Sequence, residues 1–140
     1  MMFNGIFFGA YIASVYKQID LDKISDSQLT IAGAIGSLCN GGSRIFWATI
    51  QDGYGFKKVY YVLLTIQLFV SLTMYHWRGN VIFYILCVAL SFFCEGGNFS
   101  MFPTVAVNIF GVTNGGQIFT IMFFAVPLSS NFGFLMVHQF

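Results

Sequence analysis

Charge is what this chain of 140 residues has least of: 8% of its side chains are Asp, Glu, Lys or Arg, six basic against five acidic, for a formal net charge of +1. Soluble domains carry about a quarter charged residues, so a water-facing surface cannot be assembled from this composition. The near-neutral balance supplies no basic field, which argues against nucleic acid as a partner. Cysteine occurs three times, and Cys39, Cys87 and Cys94 all fall in apolar surroundings at spacings that suit neither a zinc site nor a disulfide frame. They read as packing thiols. His76 and His138 are far apart and lack a second ligand at helical spacing, which argues against metal or haem ligation. No Ser/His/Asp set, Cys/His pair or phosphate-cradling glycine loop is visible, so neither catalytic residues nor a cofactor is expected.

What the chain has instead is apolar length: 57% of it is hydrophobic and 19% aromatic. A window of about 20 residues, the length that crosses a roughly 30 Å hydrocarbon core as a helix, divides it into five segments. They lie near Met2–Tyr16, Gln28–Ile50, Val59–Trp77, Val81–Ile109 and Gln117–Phe140. The connections, Lys17–Ser27, Gln51–Lys58, Arg78–Asn80 and Phe110–Gly116, hold nearly all the charges and several glycines and asparagines, as turns in water require. The expected architecture is an all-α membrane protein, one unit over residues 1–140, with the lipid bilayer as its solvent. The first segment has no basic region before its apolar run, and Tyr16, Lys17 and Gln18 make no small-residue cleavage site, so it is read as a retained helix. The triplet Asn98, Phe99, Ser100 matches a glycosylation acceptor but lies inside a segment, where no glycan is added.

Only Arg44 and Glu95 are charged within segments. A guanidinium at the middle of a membrane helix costs about 2.5–3.5 kcal/mol on insertion scales and normally faces a cavity or a partner. At spacings of three and four, Gly33, Gly36, Ser37, Asn40 and Gly41 share its stripe, a small and polar face suited to close packing or an aqueous cleft. Two readings stand: an anion-binding arginine whose planar fork holds a carboxylate through two hydrogen bonds, or a structural ion pair. Glu95 reaches a comparable depth, and the two could pair. A carboxylate there either loads and releases a proton, the ingredient of proton-coupled transport, or only neutralises Arg44. Nearby Gly96, Gly97 and Pro103 permit close approach and a kink.

Between the second and third segments, Ala48, Asp52, Gly55, Lys57 and Lys58 follow a pattern usually written G-x-x-x-D-x-x-G-R/K-R/K. It resembles the signature loop of the major facilitator superfamily of secondary transporters, with Ala48 at the first glycine and Phe56 at the first basic position. Gly41, Gly42, Ser43, Arg44, Ile45, Phe46 and Trp47 resemble the N/G-x-x-R-x-x-W-G pattern of its oxalate/formate antiporter-like and monocarboxylate transporter-like branch. The run Glu95, Gly96, Gly97, Asn98, Phe99, Ser100, Met101, Phe102, Pro103 resembles that branch's Y-G-G-x-F-x-x-F-P, with Glu95 in place of an aromatic residue.

The resemblance covers nearly the whole chain and implies helices seven to eleven of a twelve-helix fold, a fragment of the C-terminal half. It implies secondary active transport of a small organic anion, a mono- or dicarboxylate, by alternating access, proton coupling being open through Glu95. Arg44, Asn40, Glu95 and Asn98 would meet the substrate. Asp52, Gly55, Lys57 and Lys58 would form a conformational gate, with Asp52 capping the helix that begins near Gly115 to Gln117 and the lysines meeting headgroups or acidic groups of the other half. It places that loop in the cytoplasm, since Lys and Arg counts are too even to decide sidedness. The missing N-terminal half, or another subunit, becomes the required partner, and the plasma membrane is the default location. The competing expectation is a non-transporting truncated membrane protein or an assembly partner of a full-length carrier.

Overall fold

A computed structural model describes residues 25–76 and 80–139. These form helices α1 (Asp26–Tyr54), α2 (Phe56–His76), α3 (Val81–Phe123) and α4 (Ala125–Gln139). The segment expected at Met2–Tyr16 and the residues around Arg78 lie outside the described part. Within it the chain is all-helical, and two stretches, Phe56–Met74 and Val81–Ser129, are both long and apolar enough to cross a membrane. At 29 residues α1 has the length as well, about 43 Å at 1.5 Å per residue, but its Gly, Ser, Asn and Arg stripe lowers its apolarity. Five membrane-spanning helices are therefore an expectation of which the described residues carry only part.

The helix ends follow from local chemistry. Ser25 caps α1 in a capping box: its Oγ accepts from the Gln28 N–H at 3.4 Å while its own N–H donates to Gln28 Oε1 at 3.0 Å. Asn80 Oδ1 accepts from the N–H groups of Ile82 and Phe83 to start α3. The turn expected over Gln51–Lys58 contracts to one residue. Gly55 has φ 82° and ψ 150°, a conformation that side chains oppose, and its N–H closes α1 onto Gln51 O at 2.9 Å before α2 begins at Phe56.

The expected connection at Phe110–Gly116 also reduces to one glycine. Gly111 (φ 79°, ψ 165°) is the one non-helical residue inside α3, and the two limbs fold back on each other around it. Gly115 lies against the Val107 backbone, and the Phe99 and Phe123 rings meet at 5.9 Å; both pairs are symmetric about Gly111. Pro103 leaves the helical dihedrals intact. Pro127, in the first turn of α4, lacks an N–H where none is needed, and the run beyond Gly111 is interrupted at Phe124.

Along α1 and the first limb of α3 the contacts climb in the same order. Ala32 packs in a cluster with Tyr84, Cys87 and Val88; Gly36 meets Phe92; Trp47 donates to Phe93 O; and Gln51 donates to Met101 O. The two helices are parallel, as two strands of an up-down-up path must be, with α2 running back between them. Cys94, Met101 and Phe102 of α3 meet Val59, Tyr60 and Leu63 of α2 in the second core cluster, joined by Trp47. Outside these seams large apolar side chains stand uncovered: Leu38 is 78%, Ile82 81% and Val112 85% exposed. With so few charges beside them, such faces fit hydrocarbon rather than water.

Sidedness yields a direct test. In a background lacking Cys39, Cys87 and Cys94, cysteines at Ser27 and Gly53, both exposed and at opposite ends of α1, are expected to react with an impermeant maleimide from opposite sides, Gly53→Cys from the cytoplasm. Labelling of both from one side removes α1 as a spanning helix.

Candidate functional site

The deepest constraint at the centre of the chain is a pair of glycines. A Cβ built on Gly96 would strike Ser43 Oγ and the Asn40 carbonyl oxygen. One on Gly97 would lie 2.7 Å from the Trp47 ring and 2.8 Å from Leu63. Only hydrogen at these two positions lets the α3 backbone settle on α1. Ser43, itself buried, turns its hydroxyl back to Asn40 O at 2.9 Å, so that hydroxyl is not stranded at the crossing. Trp47 is held by its Nε1–H on Phe93 O at 3.0 Å.

Arg44 follows Ser43, so its side chain leaves this crossing on the flank. Its guanidinium donates through Nη2 to Asn40 Oδ1 at 3.2 Å, one turn back on α1. It also lies 5.4 Å from the centroid of the Phe99 ring on α3, within cation–π range. The side chain remains exposed. Six residues separate Arg44 from Ile50, the last apolar residue of α1 before Gln51 and Asp52, about 9 Å, which is roughly a third of a 30 Å core. Inside the apolar span an exposed guanidinium cannot face lipid chains without cost, so its open side is suited to an aqueous cleft or another polar protein surface.

Glu95 is half-buried one turn before Phe99, and Arg44 is the charge that acts on it through space. Among the described residues the two make no hydrogen bond. Arg44, Asn40 and Glu95 thus gather on one flank of the α1–α3 crossing. Asn98 does not join them: it is 2% exposed, on the α3 face shared with Cys94, Met101 and Phe102, and neither its Oδ1 nor its Nδ2 has a partner. Gln67 of α2 is buried and unpartnered in the same way.

At the α1–α2 turn, Asp52, Gly55, Lys57 and Lys58 are all exposed. They border an open groove of about 670 Å³ whose far wall is Val105, Asn108 and Ile109 of α3. Asp52 thus borders the groove opposite Val105, Asn108 and Ile109, and among the described residues it accepts no hydrogen bond. Two residues of the central site escaped sequence reasoning. Phe99, one of 18 phenylalanines, and Ser43 stood in the sequence within the resembling patterns but without a role of their own. The signal for Phe99 was its position four residues after Glu95, on the same helical face.

Three curated proteins stand out as similar to this chain. It is 30% identical to apicoplast pyruvate carrier 1 of Toxoplasma gondii over 140 residues, 92% of this chain but 25% of the carrier. It is 35% identical to apicoplast pyruvate carrier 2 of the same organism over 97 residues, 68% of this chain and 15% of that carrier. It is 33% identical to the oxalate:formate antiporter of Oxalobacter formigenes over 110 residues, 75% of this chain and 25% of the antiporter. No family profile and no solved structure matches. The chain is a distant homologue of carboxylate carriers of the major facilitator superfamily, as the signature residues imply. These relatives are transporters rather than enzymes, and kinship and candidate membrane helices together mark a membrane protein.

The glycine contact predicts a contrast. Gly96→Ala is expected to destabilise the chain in detergent by about 1–3 kcal/mol, since it overpacks backbone against backbone. Gly42→Ala meets nothing within 4 Å and is expected to be neutral or stabilising by up to about 1 kcal/mol through helix propensity. Thermal unfolding of both variants checks it; equal effects would remove Gly96 from the crossing.

Proposed function

We propose that the chain forms part of a secondary active carrier that moves a small organic anion, a mono- or dicarboxylate, across a membrane by alternating access. The observation that carries this reading is the state of Arg44. It is held on one side by Asn40 and braced by Phe99, and among the described residues its remaining guanidinium donors have no partner and stand exposed within the apolar span. A planar fork with free donors is the group that binds a carboxylate through two parallel hydrogen bonds. The names of the relatives, which speak of pyruvate, oxalate and formate, support a carboxylate. The chain spans 25% or less of those relatives, so the opposite wall of the cavity belongs to another part of the carrier or to another subunit.

In this reading Asn40 orients Arg44, and Glu95 provides a carboxylate near the bound anion that can carry a proton. Asn98 serves as a polar group within the helix packing, available to the substrate only if α3 shifts. Asp52, Gly55, Lys57 and Lys58 act at the turn as a gate, closing against α3 across the groove they border. The plasma-membrane expectation draws no support from kinship, because two of the relatives are named for an organelle.

Arg44 decides the matter. In the intact carrier reconstituted in liposomes, Arg44→Lys is expected to lower affinity for the carboxylate about tenfold, the loss of roughly one charge-assisted hydrogen bond, while insertion and stability persist. A structural pair predicts otherwise. Arg44→Ala would then be strongly destabilising, and the double change with Glu95→Ala would recover most of that loss. Unchanged binding in Arg44→Lys together with that rescue would overturn the assignment.

A further inference from the structure

A second groove of about 410 Å³, sharing Tyr54 and Lys58 with the first, runs from the α1–α2 turn along both helices to Phe93 of α3. Its deep end is built from three rings: Phe46 lies 5.5 Å from Trp47, and Phe93 lies 5.4 and 5.5 Å from the two of them. Ile50 of α1 and Val62 and Ile66 of α2 continue the apolar walls, and Tyr54 and Lys58 border the end near the turn. Lys58 to Ile66 and Tyr54 to Phe46 each span eight residues, about 12 Å of helix. That is most of one leaflet of a 30 Å hydrocarbon core. The groove therefore starts at the membrane surface with a cation and a phenol and ends, well inside the leaflet, in a bed of aromatic rings.

We propose that this groove is a binding site for an anionic phospholipid, with an acyl chain along the aromatic and aliphatic walls and the headgroup phosphate at Lys58. Charge complementarity selects the headgroup, since Lys58, which stands between the two grooves and borders both, is the one charged side chain lining this one, whereas Asp52 and Lys57 border the first groove alone. Burial of an acyl chain selects a lipid over a soluble anion, because every wall residue below Tyr54 is apolar. Tyr54, 71% exposed, stands at the level where tyrosines favour the interface. The site does not depend on transport, and its test reads lipid rather than substrate.

Trp47 supplies the readout. The chain has two tryptophans, so Trp77→Phe leaves Trp47 as the single fluorophore, seated against the proposed acyl chain. The full chain is reconstituted in phosphatidylcholine vesicles containing increasing fractions of phosphatidylglycerol with brominated acyl chains, and in parallel with brominated phosphatidylcholine. Quenching is expected to exceed the mole fraction of the brominated anionic lipid and to follow it for the zwitterionic one. Lys58→Gln is expected to lower the preference about fivefold, the factor one lysine supplies near a membrane surface. Lys57→Gln should leave it little changed, and Lys58→Arg should preserve it. Equal quenching by the two headgroups, equal loss in Lys57→Gln and Lys58→Gln, or no quenching by either lipid because protein fills the groove would each overturn the proposal.

Discussion

The structure hangs on the close approach of α1 and α3 at Gly96 and Gly97. Apolar burial does not hold helices together in hydrocarbon, where lipid tails are as apolar as leucine; intimate packing and interhelical hydrogen bonds must do it. Here both appear at one crossing. Two adjacent glycines admit the backbone of Asn40 and the ring of Trp47, and the Trp47 N–H and the Gln51 amide reach across to carbonyls of α3. Because this contact fixes the rotation of both helices, it also fixes what emerges on either flank. Arg44 and Phe99 leave on one side, and the Phe46, Trp47 and Phe93 rings on the other. The central cationic site and the lipid-facing groove are two consequences of one packing decision.

Chain reversal is handled with equal economy. Where the sequence offered polar stretches of seven or eight residues as loops, the structure turns on Gly55 and Gly111, each at a positive φ that side chains avoid. The flanking residues that looked like loop, including Gln51, Asp52, Lys57 and Lys58, are helical. Polarity marked them as near water, which is correct, but water contact does not imply irregular backbone. A helix that projects past the hydrocarbon boundary is polar and regular at once.

The residues differ in how far the sequence revealed them for a physical reason. The all-helical character, the approximate sites of chain reversal and the presence of Arg44 within an apolar span follow from apolar length and from isolated charges, which stand out on a hydrophobic background. Rotation about the helix axis is another matter. On α1 the stripe from Gly33 to Arg44 shows which side is small and polar, so Asn40 beside Arg44 was legible. On α3 nearly every residue is apolar around the full circumference, so no periodicity separates the face toward α1 from that toward α2 or lipid. Phe99 under Arg44 carried only its spacing from Glu95 as a signal and Asn98 in the core carried none, although they are neighbours in sequence.

The energetics of Arg44 connect the packing to the chemistry. Its placement inside the apolar span costs up to about 2.5–3.5 kcal/mol on insertion scales, the value at a helix centre. A hydrogen bond to a charged group contributes about 1.5–3 kcal/mol, and a cation over an aromatic ring about 0.5–2 kcal/mol. Asn40 and Phe99 together offset a cost of that order without a direct ion pair. Among the described residues Glu95 makes no hydrogen bond to the guanidinium, although Arg44 acts on it through space. Had the two formed a bidentate salt bridge, an incoming carboxylate would have to displace Glu95 and strand it in a low-dielectric site, at a cost of several kcal/mol. An arginine braced by neutral partners can accept and release an anion while its own position is maintained, which is the property a carrier needs and a purely structural ion pair lacks.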